Sequence, residues 1–338
     1  MKLSIVLPTY NRQDTLEMAV KAIFSQTLPR NEYEVIIIND GSTDNATLIL
    51  SKLKPQFPFR LIEQENMGAA VARNVGIKAA QNSVIVLIQD DIIATPNFLE
   101  EHLKFHRGHS VNRGRPENRG GPGAEAASVA TAVVGYTTWH PELKVTPFMR
   151  WLEHGGPQFD YDRIRGQTEV DYLAFYTSNL SLRREFVQEN GLLDEDFSLP
   201  GITAYEDTEW GWRLLKKGLK LYYNPKAMAY HYHPRTLEQV CCRREAEGHM
   251  SRLLYRKHPD LRMSGRKDSF WYQLTHLKTG FLSDSFRYQL TRFIFNKFTI
   301  WPFIRFARFA ETRFNFPLIY KIVCGYSYNR GYGRTFRG

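Results

Sequence analysis

Val84-Ile-Val-Leu-Ile-Gln-Asp-Asp-Ile-Ile93 is an apolar run that stops abruptly at two carboxylates. Residues 84–88 show no polar alternation, the pattern of a strand covered on both faces at the centre of a parallel sheet. Open α/β sheets bind ligands at the carboxyl ends of such strands, where Asp90 and Asp91 fall. Adjacent buried carboxylates are costly unless a cation or hydrogen-bond donors offset their charge. The same residues also read as a polar strand end opening a loop, so the flanking sequence has to decide between a site and a turn.

Upstream, residues 3–7 form a short apolar strand ended by Pro8-Thr9-Tyr10-Asn11-Arg12. A helix follows, capped by Asn11 or Asp14, with Leu16, Val20, Ile23 and Phe24 at helical spacing. Residues 34–38 are a second strand, punctuated by Asn39-Asp-Gly-Ser-Thr-Asp44. A helix at 45–54, a strand at 59–64 and a helix rich in small residues at 68–77 complete the approach to the central strand. This alternation implies a doubly wound, mostly parallel sheet flanked by helices. No G-x-G-x-x-G follows the first strand, which excludes a dinucleotide fingerprint.

Downstream, a helix is expected at 96–105. Residues 107–128, crowded with Gly, Arg, Pro and Asn, read as a mobile loop. Strands are expected at 129–137, 219–223 and 227–233, with Asn179 between two strand-like halves of 170–182. Trp210, Leu214 and Leu215 give a helix at 206–217 its buried face, and Gly218 ends it. Residues 237–257 are helical. These elements divide the chain into an α/β domain, 1–235, and a helical, basic and aromatic appendage, 236–338.

The net charge of +10 is unevenly placed: from Arg252 onward there are 17 Lys and Arg against 4 Asp and Glu. The basic character therefore belongs to the appendage, and bears on partners more than on chemistry. No run of 18 apolar residues predicts a spanning helix. The start of the chain is too short and too poorly flanked for a signal peptide. Cys241, Cys242 and Cys324 have neither disulfide nor zinc spacing and read as reduced thiols of a cytosolic protein.

Four further places carry candidate chemistry. Asp40 ends the second strand beside Thr9 and can accept hydrogen bonds from a base or ribose; an Asx turn is the alternative. Arg73 follows the turn at Asn66-Met67-Gly68 and suits phosphate recognition, though an ordinary surface arginine reads equally well. Glu206 and Asp207 open a helix, where acids complement the dipole, and either is placed to act as a general base. His231 and His233 share one side of a strand, and imidazole beside carboxylate is a usual divalent-metal set; satisfied core histidines are the alternative.

In order, Pro-Thr-Tyr-Asn-Arg, Asn-Asp-Gly-Ser-Thr-Asp, Gly-Ala-Ala-Val-Ala-Arg-Asn-Val-Gly-Ile, Gln-Asp-Asp, Ser-Asn-Leu-Ser-Leu-Arg-Arg, Tyr-Glu-Asp-Thr-Glu-Trp and Tyr-His-Tyr-His resemble the family 2 glycosyltransferases of GT-A fold across residues 2–234. The resemblance implies an inverting transferase using a nucleotide-activated sugar, UDP-linked by expectation, and Mn2+ or Mg2+. It places Pro8, Thr9, Tyr10, Arg12, Asp40, Arg73 and Asp90 with the nucleotide, and Asn179 with the donor sugar. Asp91 becomes the metal ligand, with His231 and His233 as candidates beside it, and Asp207 the base, with Glu206 next to it. Gln89 departs from the pattern, since the family often has an acid there.

The acceptor implied is a glycan or lipid-linked saccharide in cell-surface polysaccharide or glycoconjugate synthesis. Interleaved aromatics and Arg/Lys in the tail suggest peripheral contact with the inner face of a membrane. No nucleic-acid motif is present. Two rival functions remain at this point. One is a sugar-nucleotide pyrophosphorylase, which should show a Gly-rich, Arg-bearing loop after the first strand; the other is a non-catalytic nucleotide-sugar or glycan-binding module.

Overall fold

The strand–helix alternation of the first 90 residues is present in the computed structural model, which describes residues 1–53, 57–111, 130–199, 202–261, 296 and 298–333. The strands of its main sheet are β1 (Leu3–Thr9), β2 (Tyr33–Asp40), β3 (Phe59–Gln64), β4 (Val84–Ile88), β5 (Ile92–Ala94), β6 (Thr131–Trp139), β7 (Glu169–Val170), β8 (Asn179–Arg183) and β9 (Lys220–His231). The helices are α1 (Gln13–Phe24), α2 (Ala46–Ser51), α3 (Ala69–Ala79), α4 (Phe98–Val111), α5 (Pro147–Glu153), α6 (Arg184–Asn190), α7 (Glu206–Lys216), α8 (Leu237–Lys257), α9 (Trp301–Ala310) and α10 (Pro317–Gly333). Most of the 107–128 segment, Pro200 and Gly201, and the tail over 262–295 lie outside the described residues. Residues 107–111 continue α4 as helix.

The chain divides into two units. The first comprises Met1–Pro141, Ile164–Gly201 and Glu206–His233. Its sheet runs β3-β2-β1-β4-β8-β6-β9-β5, with β7 paired to β9. β3, β2, β1 and β4 are mutually parallel, and β6 pairs parallel with β9. β8 enters antiparallel between β4 and β6, and β5 antiparallel beside β9. Six of the nine strands thus run in one sense, as the sequence pattern implied, while the pairings made by β5, β7 and β8, where the motifs after residue 88 fall, are antiparallel.

All five residues of β4 are fully buried. On one face Val84, Val86 and Ile88 join Leu3, Ile5 and Leu7 beneath Leu16, Val20 and Ile23 of α1 and Phe98, Leu99 and Leu103 of α4. On the other face α3 lies close, because Gly76 presents no side chain. A Cβ there would stand 2.4 Å from Val6 Cγ1 and 2.7 Å from Ile38 Cδ1. The small residues of 68–77 therefore set how near the helix comes to the sheet.

Two elements differ from the expectation for physical reasons. The strands expected at 219–223 and 227–233 are one strand, β9, with a register shift between Asn224 and Met228. Pro225 has no amide proton for the ladder, and the chain bulges there without ending the strand. α4 runs six residues past its expected end, because His102 and His106 on its buried face interrupt the apolar period.

The second unit comprises Glu142–Arg163, Ile202–Tyr205 and Pro234–Gly338. α8 occupies the 237–257 span read from sequence and opens with a capping box: Thr236 Oγ1 accepts from the Gln239 amide and Gln239 Oε1 from the Thr236 amide. α8 and α10 touch backbone to backbone; a Cβ on Gly248 would lie 1.9 Å from the Tyr328 carbonyl oxygen. Phe148 and Trp151 of α5 pack on Tyr320 of α10, with ring centroids 4.9 and 5.3 Å apart. Among the described residues no helix is long and apolar enough to cross a membrane.

Candidate active site

The ends of β1 and β2 are braced together before either reaches the site. Asn11, with a positive φ of 52°, accepts at Oδ1 from the Thr43 amide, and its own amide donates to Ser42 Oγ. Asp44 accepts from the amides of Gln13 and Ala46, so one carboxylate serves the first turns of both α1 and α2. The bracing holds Pro8 and Thr9 at the strand end, with Thr9 buried and Tyr10 exposed.

Asp90 and Asp91 follow β4 and are both buried. Burial and the neighbouring Asp91 charge push the Asp90 carboxyl up to about 7, offset in part by the Thr9 hydroxyl, the Arg12 charge and the Tyr10 amide. A carboxyl that holds its proton near neutrality can donate as well as accept, which suits a partner rich in hydroxyls.

Asp91 is brought to His231 by backbone pairing. Ile92 stands opposite His231 in the β5–β9 ladder, and the Tyr232 amide donates to the Asp91 carbonyl at 2.8 Å. Asp91 Oδ2 then lies 3.6 Å from His231 Nε2 and 3.9 Å from Arg12 Nη2. His233 lies beyond the end of β9, its ring 6.0 Å by centroid from that of His231, and its Nδ1 is 2.9 Å from Arg12 Nη1. Guanidinium only donates, so that nitrogen accepts and the neutral ring carries its proton on Nε2. Of the two histidines, the structure brings His231 to Asp91 and gives His233 to Arg12.

An ion about 2.1 Å from each of two ligand atoms spans pairs up to about 4.2 Å apart, so Asp91 and His231 fit a shared divalent cation. Among the described residues no group of three or more His, Cys, Asp or Glu is gathered for a metal. The residues that fit such an ion are this pair, with Arg12 as a cationic neighbour.

Asp40 is spent mainly on the chain. Oδ1 accepts from Gln64 Nε2 at 2.7 Å and the Met67 amide at 3.0 Å, and Oδ2 from the Gly68 amide at 3.0 Å. The Asx turn at this strand end belongs instead to Asn39, whose Oδ1 accepts from the Ser42 amide. Asp40 fastens the turn that starts α3, leaving part of its acceptor capacity for a ligand.

Arg73 is almost wholly buried in α3, with Nη1 3.5 Å from Glu206 Oε1. Among the described residues its Nε and Nη1 meet no hydrogen-bond partner. Glu206 is directed to Arg73, while Asp207 beside it accepts from the Thr177 amide at 3.1 Å and from Thr177 Oγ1 at 2.7 Å. Tyr205, immediately before α7, has φ 68°, a conformation costly for an aromatic residue and one found mostly where a site demands it. The adjacent acids therefore have different work: Glu206 meets an arginine, and half-buried Asp207 is clasped at the helix start.

Asn179 departs from the expectation that it lines the donor-sugar pocket. It is fully buried, and its Nδ2 donates to the Tyr136 and Ala227 carbonyls and to Thr137 Oγ1. Those acceptors orient the amide so that Oδ1 faces His102 Nε2 at 3.0 Å. His102 Nδ1 meets Ser181 Oγ at 2.8 Å, and Ser181 meets His106 Nε2 at 2.9 Å. A single neutral assignment satisfies this chain: His102 donates to Asn179 and accepts from Ser181, which accepts from His106. Burial holds His102 down at about 4, opposed by its bond to Asn179, so it stays neutral. This network was missed from sequence. Its traces are His102 and His106 four apart on a helix and Asn179 and Ser181 two apart on a strand.

Residues 4–125 match the family model described as Glycosyl transferase family 2. Validoxylamine A glucosyltransferase of Streptomyces hygroscopicus subsp. limoneus is 26% identical over 234 residues, covering 65% of this chain and 49% of that protein. The uncharacterized glycosyltransferase YibD of Escherichia coli K12 is 38% identical over 100 residues, 29% of this chain and 28% of its own. The chain spans about half the length of the validoxylamine transferases it matches. Among solved structures, the mannosyltransferase PcManGT of Pyrobaculum calidifontis, in complex with GDP-Man and Mn2+, superposes with a TM-score of 0.58 at 15% identity, over 96% of this chain and 86% of that one. TarS of S. aureus gives 0.51 at 13% identity, over 95% and 55%. The sheet, its strand-end acids and these likenesses agree: residues 4–125 match the glycosyl transferase family 2 model, and the fold is that of the GT-A glycosyltransferases.

Proposed function

We propose that the chain transfers a sugar, with inversion, from a nucleoside-diphosphate donor, a UDP-sugar first, to a saccharide hydroxyl on a glycan or lipid-linked acceptor. The observation that carries this reading is the 3.6 Å approach of Asp91 to His231 at the end of a buried central strand. Thr9, Tyr10, Asp40 and Asp90 line the strand ends where a nucleoside would hydrogen-bond and stack, and Arg12 and Arg73 supply positive charge for its phosphates. Asp91 and His231 would hold a divalent cation, which supplies Lewis-acid stabilisation of the leaving diphosphate. The GDP-Man and Mn2+ held by PcManGT support a donor of this kind and such an ion.

Asp207 is the base in this reading. Its carboxylate, held by Thr177, removes the proton of the acceptor hydroxyl as that oxygen attacks the anomeric carbon and the carbon–phosphate oxygen bond breaks. One displacement inverts the centre and requires no protein nucleophile. Glu206 stays with Arg73 and orients the first turn of α7.

A donor screen on the purified chain tests the proposal. Nucleotide release is read from UDP- and GDP-sugars with Mn2+, Mg2+ or chelator, with and without saccharide acceptors. Cation-dependent release from one donor, raised by an acceptor, is expected. Donor binding with no release from any donor would assign the chain to the non-catalytic class instead.

A further inference from the structure

We infer that the outward face of α9 and the segment after it, residues 301–318, docks onto a bilayer surface bearing anionic phospholipid headgroups. α9 buries one side only. Ala307 and Ala310 are fully enclosed, while Trp301, Phe306 and Phe309 are 56%, 41% and 51% exposed. Beyond the helix Phe314, Phe316 and Leu318 are exposed as well. The rings touch one another: Phe306 and Phe316 lie 5.4 Å apart by centroid, Phe309 and Phe314 6.1 Å, and Phe314 and Phe316 6.4 Å. Water thus meets one joined aromatic patch, not scattered side chains, and joined patches mark interaction surfaces.

Charge selects the occupant. At 100° per residue Trp301, Arg305 and Phe309 form one strip of α9, with Arg308 and Phe306 on its two sides. Arg305 lies 4.7 Å over the Trp301 ring and Arg313 4.6 Å over Phe309. Each guanidinium rides on a ring, an arrangement that lets the ring enter the acyl boundary while the charge stays with phosphates. The acids at this stretch are Glu311, which accepts from the Leu237 amide at 2.7 Å, and Glu238, 3.8 Å from Arg308, while residues 301–318 carry three arginines, Arg305, Arg308 and Arg313, against Glu311. A second copy would set like charge against like charge; an anionic lipid surface complements it.

Vesicle co-sedimentation of the full chain tests this, independently of any turnover. Vesicles of phosphatidylcholine with and without phosphatidylglycerol are compared for wild type, Phe309→Ser/Phe316→Ser and Arg305→Gln/Arg308→Gln, each checked by thermal melting. The wild type should pellet with the phosphatidylglycerol vesicles, less so as salt rises. The phenylalanine pair, with every charge retained, should bind at least about tenfold more weakly. The arginine pair should lose roughly thirtyfold on anionic vesicles alone. Wild-type failure to pellet, or a phenylalanine pair that pellets like wild type, overturns the assignment. So does a concentration-dependent dimer that the phenylalanine pair abolishes while vesicle binding persists, which would give the patch to a second copy.

Discussion

Asp91 Oδ2 and His231 Nε2 stand 3.6 Å apart, although 139 residues of chain lie between them. The antiparallel pairing of β5 with β9 creates that approach, and Arg12 divides the neighbouring histidines by engaging His233. The two imidazoles, equivalent by sequence, therefore have unequal tasks.

That inequality sets the first expected outcome. His231→Ala should weaken Mn2+ activation of nucleotide release by about tenfold or more, the usual loss for a metal-site partner. His233→Ala should leave the Mn2+ dependence within about threefold. Manganese titrations of both variants decide it, and equal losses would restore His233 as a ligand.

Asp207→Asn removes the proposed base while keeping an acceptor for Thr177. Turnover should fall by about 10²–10⁴-fold with donor affinity retained, read by steady-state kinetics beside donor calorimetry. Unchanged turnover would falsify the assignment of the base. Thr177→Val, which loses only the hydroxyl at 2.7 Å, should cost less than Asp207→Asn.

His102 makes stability pH-dependent. Its folded pKa, lowered to about 4, lies below the unfolded value of 6.5. Between those values the unfolded chain binds the extra proton, so stability falls with pH from about 6.5 and levels off near 4. From about pH 7 to about pH 5 the loss from this group is on the order of 2 kcal/mol. Denaturant melts of wild type and His102→Gln at both pH values should show the variant less stable at neutrality but losing less on acidification. Parallel losses would exclude His102 as the source.

Gly76→Ala tests the close approach of α3 to the sheet. The new methyl meets Val6 and Ile38 inside van der Waals contact, and overpacking of this kind costs about 1–3 kcal/mol. Thermal melting should show a lower midpoint. An unchanged midpoint would mean that the helix shifts without penalty.

Much of the fold was legible because local pattern and final position coincide. Residues 84–88 read as a strand covered on both faces, and all five are fully buried. Residues 237–257 read as a helix, and α8 spans them with a capping box at its start. The antiparallel entry of β8 was not legible. Strand order depends on which edges meet after the helices are placed, and no local period records that.

For the site, the residue types at the strand ends are written in the chain: Asp40 at the end of β2, Asp90 and Asp91 after β4, the acids at the start of α7, and His231 and His233 at and just past the end of β9. Those positions follow from apolar runs that stop at polar residues, a one-dimensional signal. How each side chain is spent follows from contacts made on folding. Folding gives Asp40 to the turn before α3, Glu206 to Arg73, His233 to Arg12 and Asn179 to a closed network with His102. It leaves Asp91 with His231 and Asp207 on a threonine clasp. Hydrogen bonds and ion pairs are contests among groups far apart in the chain, and folding alone brings the competitors within reach.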